Sequence, residues 1–465
     1  MVSLGICLRI VAVLLAVWSV DSRLQQRHLS EHGTEGDSDS GDVDSEGPVT
    51  SQYFSNGELE GFIKDFASGE KCGKISRWFK IGQSVNGTDL LVLEISNNPG
   101  KEEAKPNFHY VGNMHGDEPT GRQLLLKLAE WLCDNYPRNA KAKRIVEGMH
   151  LYLLPTMNPD GFDMQKRYNT HRVDLNRNFP DRVISKHMPM EPTGQEEPET
   201  LAIMKWVESG FFAASGNLHE GAVVANYPWD ARDDGKAGYA TSPDDAAFIF
   251  LSKVYSYHHR EMHKSEEFKD GITNGNDWYP LYGGMQDWEY INGHCLDITL
   301  ELSENKSPPA HTLYELWLDN KNSLLDMPIA AVFGGLSGFV KDVSGYPLNA
   351  TISVENIAFT TTSRPTLGDY YRVLAPGVYT VSVHAEGYLR STAEITVPEP
   401  FDEGVVHDFV LRMEGGDSSG ASIDPARIGA NMNSTSLNYT LLMLLAVVLI
   451  WVVFARRRRA RGRDV

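Results

Sequence analysis

One stretch restricts the fold more than any other: the largely apolar run Phe108–Val111, the segment Asn113-Met-His-Gly-Asp-Glu118, and the periodic segment Thr120–Tyr136. The first reads as a buried strand. The last carries Leu125, Leu128, Ala129 and Leu132 at the i, i+3, i+4, i+7 spacing of a helix. A strand that passes into a helix through a short loop presents the loop's polar side chains at the strand's end. Here those side chains include an imidazole, His115, and a carboxylate, Glu118. Nitrogen with carboxylate oxygen suits zinc, and a catalytic zinc takes three protein ligands and keeps one position for water. His-x-x-Glu is common by chance, so the rest of the chain must supply a third ligand, a base and a fold that brings them together.

The surrounding pattern supplies the fold. Ser55-Asn-Gly-Glu58 has the form of a capping box, with Leu59, Phe62, Ile63 and Phe66 as the apolar face behind it. Lys80–Ile95 reads as two strands joined by a turn at Asn86-Gly87, and His150–Pro155 as another buried strand. A helix over Ala310–Leu325, with Leu313, Leu316, Trp317 and Leu324 on one face, closes the unit. Strands alternating with helices predict an α/β domain, a mixed twisted sheet flanked by helices, over residues 50–332. Beyond Val332 the texture changes. Ile352–Val354 and Tyr379–Ala385 alternate as half-buried strands, punctuated by Gly345, Pro347, Pro376-Gly377 and Gly387, and predict a small all-β sandwich over 333–413.

The two ends differ from this middle. Ile10–Val20, after Arg9, reads as the core of a signal peptide over 1–22. Residues 23–49 are acidic and rich in Gly and Ser, a disordered lead-in, and 414–436 form a stalk. The apolar run 437–455 is long enough to cross a bilayer, and arginines 456–459, 461 and 463 follow in the tail 456–465. By the positive-inside rule this predicts a single-pass type I membrane protein with its main domain extracellular or in the secretory-pathway lumen. The alternative, a removable tail for a lipid anchor, would end apolar. Sequons at Asn86, Asn305, Asn349 and Asn433 accord with secretion. Once Cys7 leaves with the signal peptide, Cys72, Cys133 and Cys295 allow one internal disulfide and one free thiol. Their pairing is open, and the helical, apolar surroundings of Cys133 predict burial. The net charge of −19 argues against a nucleic-acid partner, which would demand a basic face.

Two further segments place reactive groups at strand ends. Phe211–Ala214 leads into Gly216-Asn-Leu-His219-Glu-Gly221, and Glu301 lies in the strand pattern Ile298-Thr-Leu-Glu301-Leu-Ser303. Taken singly, His219 reads as a core histidine and Glu301 as a partnered strand carboxylate. Beside a metal they become a third ligand and a general base whose pKa is raised by apolar neighbours. Arg167 and the block Asp174-Leu-Asn176-Arg177-Asn178-Phe-Pro180 read either as a solvated loop or as a fork-shaped carboxylate binder.

Together these blocks, in this order and approximate spacing, resemble the zinc metallocarboxypeptidases. Gly271-Ile-Thr-Asn-Gly-Asn-Asp-Trp-Tyr279 and Gly283-Gly-Met-Gln-Asp-Trp288 narrow the resemblance to the regulatory branch of carboxypeptidases N, E, M and D. The β segment, with Gly338-Phe-Val-Lys-Asp342 and Gly368–Gly377, resembles that branch's transthyretin-like domain. The resemblance covers residues 50–413. It implies one Zn²⁺ held by His115, Glu118 and His219, with Asp174 orienting His115 from behind. It implies Glu301 as the base, Arg167 at the oxyanion, and Asn176 and Arg177 at the substrate's terminal carboxylate. Tyr279 would close over the substrate, and Asp230 with Gln286 would select a C-terminal Lys or Arg. Two departures stand out: Glu220 replaces a glycine after the second histidine, and Ser-Glu-Asn-Lys306 lacks a cysteine, so one family disulfide is expected to be absent. His258, His259, Glu261 and His263 match no zinc pattern and read as a polar helix face or loop.

The expectation is a membrane-anchored, monomeric zinc carboxypeptidase acting on peptides or proteins ending in Lys or Arg. Its rivals are a non-catalytic, peptide-binding pseudoenzyme on the same scaffold, and an enzyme of this fold for acyl-amino acids or neutral C-terminal residues.

Overall fold

The computed structural model describes residues 42–186 and 189–415. The strands of the first domain are β1 (Ser76–Gln83), β2 (Asp89–Ile95), β3 (Asn107–Gly112), β4 (His150–Leu154), β5 (Phe212–His219), β6 (Ala222–Tyr227), β7 (Ile272–Asn274) and β8 (Leu296–Ser303). Its longer helices are α1 (Asn56–Ser68), α2 (Thr120–Asn135), α3 (Ala140–Gly148), α4 (Pro198–Gly210), α5 (Asp245–His258), α6 (Met285–Asn292) and α7 (Leu313–Phe333). The strands form one mixed sheet in the order β1-β2-β4-β3-β5-β8-β6-β7. Its centre, β4-β3-β5-β8, is parallel. Every residue of β5 and β8 is buried, as expected of strands covered on both faces.

Local chemistry explains most element ends. At the start of α1 the capping box forms in full: the Glu58 amide donates to Ser55 Oγ, and the Ser55 amide donates to Glu58 Oε2 at 2.8 Å. The final helix runs to Phe333, past the expected end at Leu325, because Met327–Val332 are all buried and favour continuing it. Pro328 inside α7 has no N–H to give the Leu324 carbonyl. That carbonyl instead accepts from Tyr110 Oη at 3.1 Å, a substitute partner reached from β3.

The β domain has its own core. One sheet runs β11 (Ile357–Thr362), β10 (Thr351–Val354), β13 (Gly377–His384), β14 (Ser391–Val397). The other is built on β9 (Leu336–Asp342), paired with β12 (Asp369–Arg372), β15 (Val405–Val406) and β16 (Phe409–Leu411). Leu336, Val340, Ile352, Val381, Val383, Ile395 and Phe409 fill the space between them. Each such side chain contributes about 1.5–3 kcal/mol on burial.

Three expectations need correction or completion. The acidic lead-in was expected to be disordered through residue 49, yet its described part is packed. Asp44 accepts from Trp317 Nε1 at 3.1 Å and pairs with Lys321, and Asp42 accepts from Asn139. The cysteine pairing is Cys72–Cys133, with Cys295 free and buried. The membrane placement is corrected: among the described residues no helix is long and apolar enough to cross a membrane. The longest, the 21-residue α7, carries Glu315, Asp319, Lys321 and Asp326. The segments read as signal peptide, membrane run and basic tail, most of the stalk, and Asn433 lie outside the described residues, so the single-pass extracellular or lumenal placement is not retained.

The disulfide closes a loop between residues 61 apart in sequence. On chain-entropy grounds its loss costs about 4 kcal/mol. Cys72→Ala/Cys133→Ala should unfold at lower denaturant concentration than wild type, with an extrapolated stability lower by that amount, and adding reductant to wild type should reproduce the shift.

Candidate active site

β3 ends at Gly112, and the next residue, Asn113, with a left-handed backbone (φ 54°), turns the chain out of the sheet. Asparagine tolerates this conformation better than most residues. Its buried Nδ2 donates to the carbonyls of His115 and Glu118 at 2.9 and 3.2 Å, so one amide braces the whole loop. The third group arrives from β5, whose last residue is His219.

His115 Nδ1, Glu118 Oε2 and His219 Nδ1 converge, separated pairwise by 2.9, 3.0 and 3.1 Å. His115 Nε2 faces Asp174 Oδ1 at 3.1 Å, which sets the tautomer with hydrogen on Nε2 and a lone pair on Nδ1. Burial pushes the His219 imidazolium down to about 4, so this ring is neutral at physiological pH, the form a metal requires. Burial would lower the His115 imidazolium, but the Glu118 charge and the Asp174 and Glu118 hydrogen bonds outweigh it and raise it, so without a metal a proton competes for this point. Two imidazole nitrogens and a carboxylate aimed at one buried point are the donor set zinc favours. The residues present therefore fit a zinc ion. Burial would raise the Asp174 carboxyl. The His115 hydrogen bond and the Arg167 and Arg177 charges outweigh it and hold the group well below the usual range.

Cations surround this point. Arg167 donates through Nε to Asp174 at 2.8 Å and places Nη1 3.5 Å from Glu118 Oε1. Lys306 Nζ lies 2.5 Å from the same oxygen. Glu301 stands opposite His219 in the parallel β5–β8 register. It is nearly buried, and its Oε2 has no hydrogen-bond partner. Burial, then the Glu118 charge, pushes its pKa up to about 8.

The cleft beside these groups, about 160 Å³, is also lined by Asn176, Arg177, Asp230, Tyr279 and Thr299. Asp174 caps the short turn Leu175–Arg177. At the cleft's end Asp230, 4 % exposed, accepts from Gln286 Nε2 at 2.6 Å. Gln286 in turn accepts at Oε1 from the Thr299 amide and hydroxyl. A Cβ on Gly275 would fall 2.1 Å from Asp230 Oδ1, and one on Gly284 2.9 Å from Oδ2, so glycine is required at both positions for the carboxylate to fit. Burial, with Asp287 nearby, outweighs the Arg177 charge and the Gln286 hydrogen bond and pushes Asp230 well above the usual range.

His115, Glu118, His219, Glu301, Arg167, Asn176, Arg177, Tyr279 and Asp230 line this one cleft, and Asp174 and Gln286 stand behind it, against His115 and Asp230. Sequence reasoning missed the bracing role of Asn113 and the place of Lys306, which was noticed only for the cysteine its segment lacks. Glu220, the departure from glycine after His219, has a local use: its carboxylate accepts from the Thr120 amide and, at 2.8 Å, the Thr120 hydroxyl, capping α2, which has no cap of its own. His258 and His259 form no second metal site: His258 donates to the Val254 carbonyl, and His259 Nδ1 accepts from the amides of Glu261 and Met262. Asn86, Asn305 and Asn349 are exposed.

A mixed sheet presenting two imidazoles, a carboxylate and a partnerless glutamate at neighbouring strand ends defines a metal-dependent hydrolase. A zinc carboxypeptidase family model matches residues 61–323. Carboxypeptidase SOL1 of Arabidopsis thaliana is 43% identical over 423 residues, covering 89% of this chain and 84% of that protein. The carboxypeptidase N catalytic chain of Homo sapiens is 41% identical over 365 residues, covering 70% and 79%. Among solved structures, thrombin activatable fibrinolysis inhibitor shares the fold with a TM-score of 0.51 at 18% identity, over 65% of this chain and 80% of that one. The chain belongs to the zinc carboxypeptidase family, in its regulatory branch, and zinc is its metal.

Two outcomes follow from the geometry. Asp174→Ala frees the His115 ring and should weaken zinc binding roughly 10- to 100-fold in a competitive chelator titration. Unfolded, Glu301 titrates near 4.5; folded and metal-free, it titrates near 8. The folded state therefore holds an extra proton between those values, and the stability this contributes is present at low pH and lost as pH rises through that window. In calorimetry, chelator-treated wild type should lose more stability between pH 4.5 and 8 than Glu301→Gln does.

Proposed function

We propose that this zinc carboxypeptidase removes C-terminal Lys or Arg from peptides and proteins. The observation that carries the specificity is Asp230, a buried carboxylate at the end of the cleft held by Gln286. A cation there pairs a charge that is otherwise costly to bury, whereas a neutral side chain leaves it unpaired, so discrimination is strong. Asn176 and Arg177, which line the same cleft, bind the terminal carboxylate, which restricts cleavage to the last residue. Tyr279, exposed at the cleft mouth, closes over the substrate.

Zinc, held by His115, Glu118 and His219, supplies a Lewis acid that polarises the scissile carbonyl and makes water acidic. The chain's own groups do the rest. Glu301 lines the cleft and its buried Oε2 has no partner, so its carboxylate accepts the water's proton and returns it to the leaving nitrogen. Arg167, fixed by Asp174, offers its guanidinium to the oxygen on which negative charge develops. The β domain, two packed antiparallel and mixed layers, is read as transthyretin-like. A non-catalytic peptide-binding scaffold would require a missing ligand or base, and the presence of His115, Glu118, His219 and Glu301 argues against it.

Peptides ending in Arg, Lys, Phe and Glu test the reading. The basic peptides should exceed the others by roughly 100-fold or more in kcat/KM. Asp230→Asn should lose most of that preference, and Glu301→Gln should abolish turnover while retaining zinc. Rapid release of phenylalanine by wild type would overturn the assignment of Asp230.

A further inference from the structure

Arg372 belongs to the β domain, on β12, yet its side chain is 1% exposed and ends against the first domain. It pairs at 2.5 Å with the fully buried carboxylate of Asp244. The other oxygen of that carboxylate accepts from Tyr290 Oη at 2.8 Å. A second β-domain residue, Phe359 on β11, stacks on the Tyr290 ring with centroids 4.1 Å apart.

Asp244 and its own partner Tyr290 belong to elements that build the end of the cleft. Tyr290 lies on α6, one turn beyond Gln286 and Asp287. Asp244 ends the loop that leaves β6 and carries Asp230. The Tyr290 ring also meets Trp229, the residue before Asp230, at 5.2 Å. The Arg182 guanidinium lies 4.3 Å from the centre of the Trp229 ring and 3.5 Å from the Asp287 carboxylate, which accepts from the Asp230 amide. The pocket wall thus rests on a prop from the other domain. The zinc ligands do not: they sit on the loop after β3 and at the end of β5.

A buried ion pair adds little net stability over an apolar pair of the same shape, so stability is a poor reason for this one. What it supplies is a fixed distance and direction. The Gln286–Asp230 hydrogen bond depends on the spacing between α6 and the loop after β6, and hydrogen bonds weaken steeply as that geometry is lost.

We propose that the β domain, through Arg372 and Phe359, holds Asp230 and Gln286 in register, making Arg372 a positioning residue for selection of the C-terminal side chain. This rests on the basic-pocket reading above. It gives the β domain a part in the reaction without a group that touches substrate.

The test measures kcat and KM for Arg- and Phe-ending peptides, with zinc content, in the full chain. The variants are Arg372→Met, Arg372→Lys, Tyr290→Phe and Phe359→Ala. Arg372→Met should raise KM for the Arg peptide and lower the Arg-over-Phe ratio about 10-fold, with zinc content and kcat on the Phe peptide within about 2-fold of wild type. Tyr290→Phe and Phe359→Ala, which leave the ion pair in place, should lower the ratio about 3-fold, and they stand in if Arg372→Met does not fold. Arg372→Lys, which keeps a cation opposite Asp244, should retain most of the preference. Unchanged ratios in the folded variants would overturn the proposal, as would equal losses on both peptides, the mark of general loosening. A wild type without preference for Arg would overturn the basic-pocket reading and this proposal with it, whereas a selective wild type with equally selective variants would overturn this proposal alone.

Discussion

The site depends on crowding three metal-seeking groups. Two imidazole nitrogens and a carboxylate oxygen are held about 3 Å apart in a buried place, where an unpaired charge is expensive because little water screens it. Only a rigid frame can keep them there without a metal. The frame is the parallel centre of the sheet, which fixes His219 beside Glu301, and the loop after β3, which Asn113 ties across His115 and Glu118. Glu220 adds a clasp from the end of β5 to the start of α2. The residue that departs from the branch's usual glycine thus bridges the two elements carrying the ligands.

The same electrostatics divide the labour of the surrounding charges. Carboxylates with cations nearby, Asp174 and Glu118, are held in their charged form. In Glu301 and Asp230 burial outweighs the cations in reach and pushes the group toward the neutral form. Each is poised for what it would receive: a proton from water at Glu301, a substrate's cation at Asp230. On the proposed reading, environment separates four chemically similar acids into a ligand, an orienting group, a base and a selector.

How much of this was legible beforehand varied with the range of the interaction. The capping box at Ser55, the helix after Pro119 and the buried strands are local patterns, and they appear nearly where periodicity places them. The helix end at Phe333 was not legible, because Pro328 marks a stop unless a distant tyrosine takes up the stranded carbonyl. The packing of Asp42 and Asp44 was hidden for the same reason: acidic, Gly-rich sequence reads as disordered until Trp317, Lys321 and Asn139 are known to be its neighbours. The cysteine pairing needed the 5.5 Å approach of two Cα atoms that lie 61 residues apart.

The sequence by itself determined the inventory: which groups can bind a metal, which can move a proton, and that they recur at the ends of apolar runs. Motif order was enough for the family, because ligand chemistry is written in residue type and short spacing. Only the tertiary structure decided direction. It turned Glu220 toward a helix end, brought Lys306 onto Glu118, and set a β-domain arginine behind the pocket that holds Asp230. Those outcomes depend on strand register and on contacts between residues a hundred or more positions apart, which local propensity does not encode.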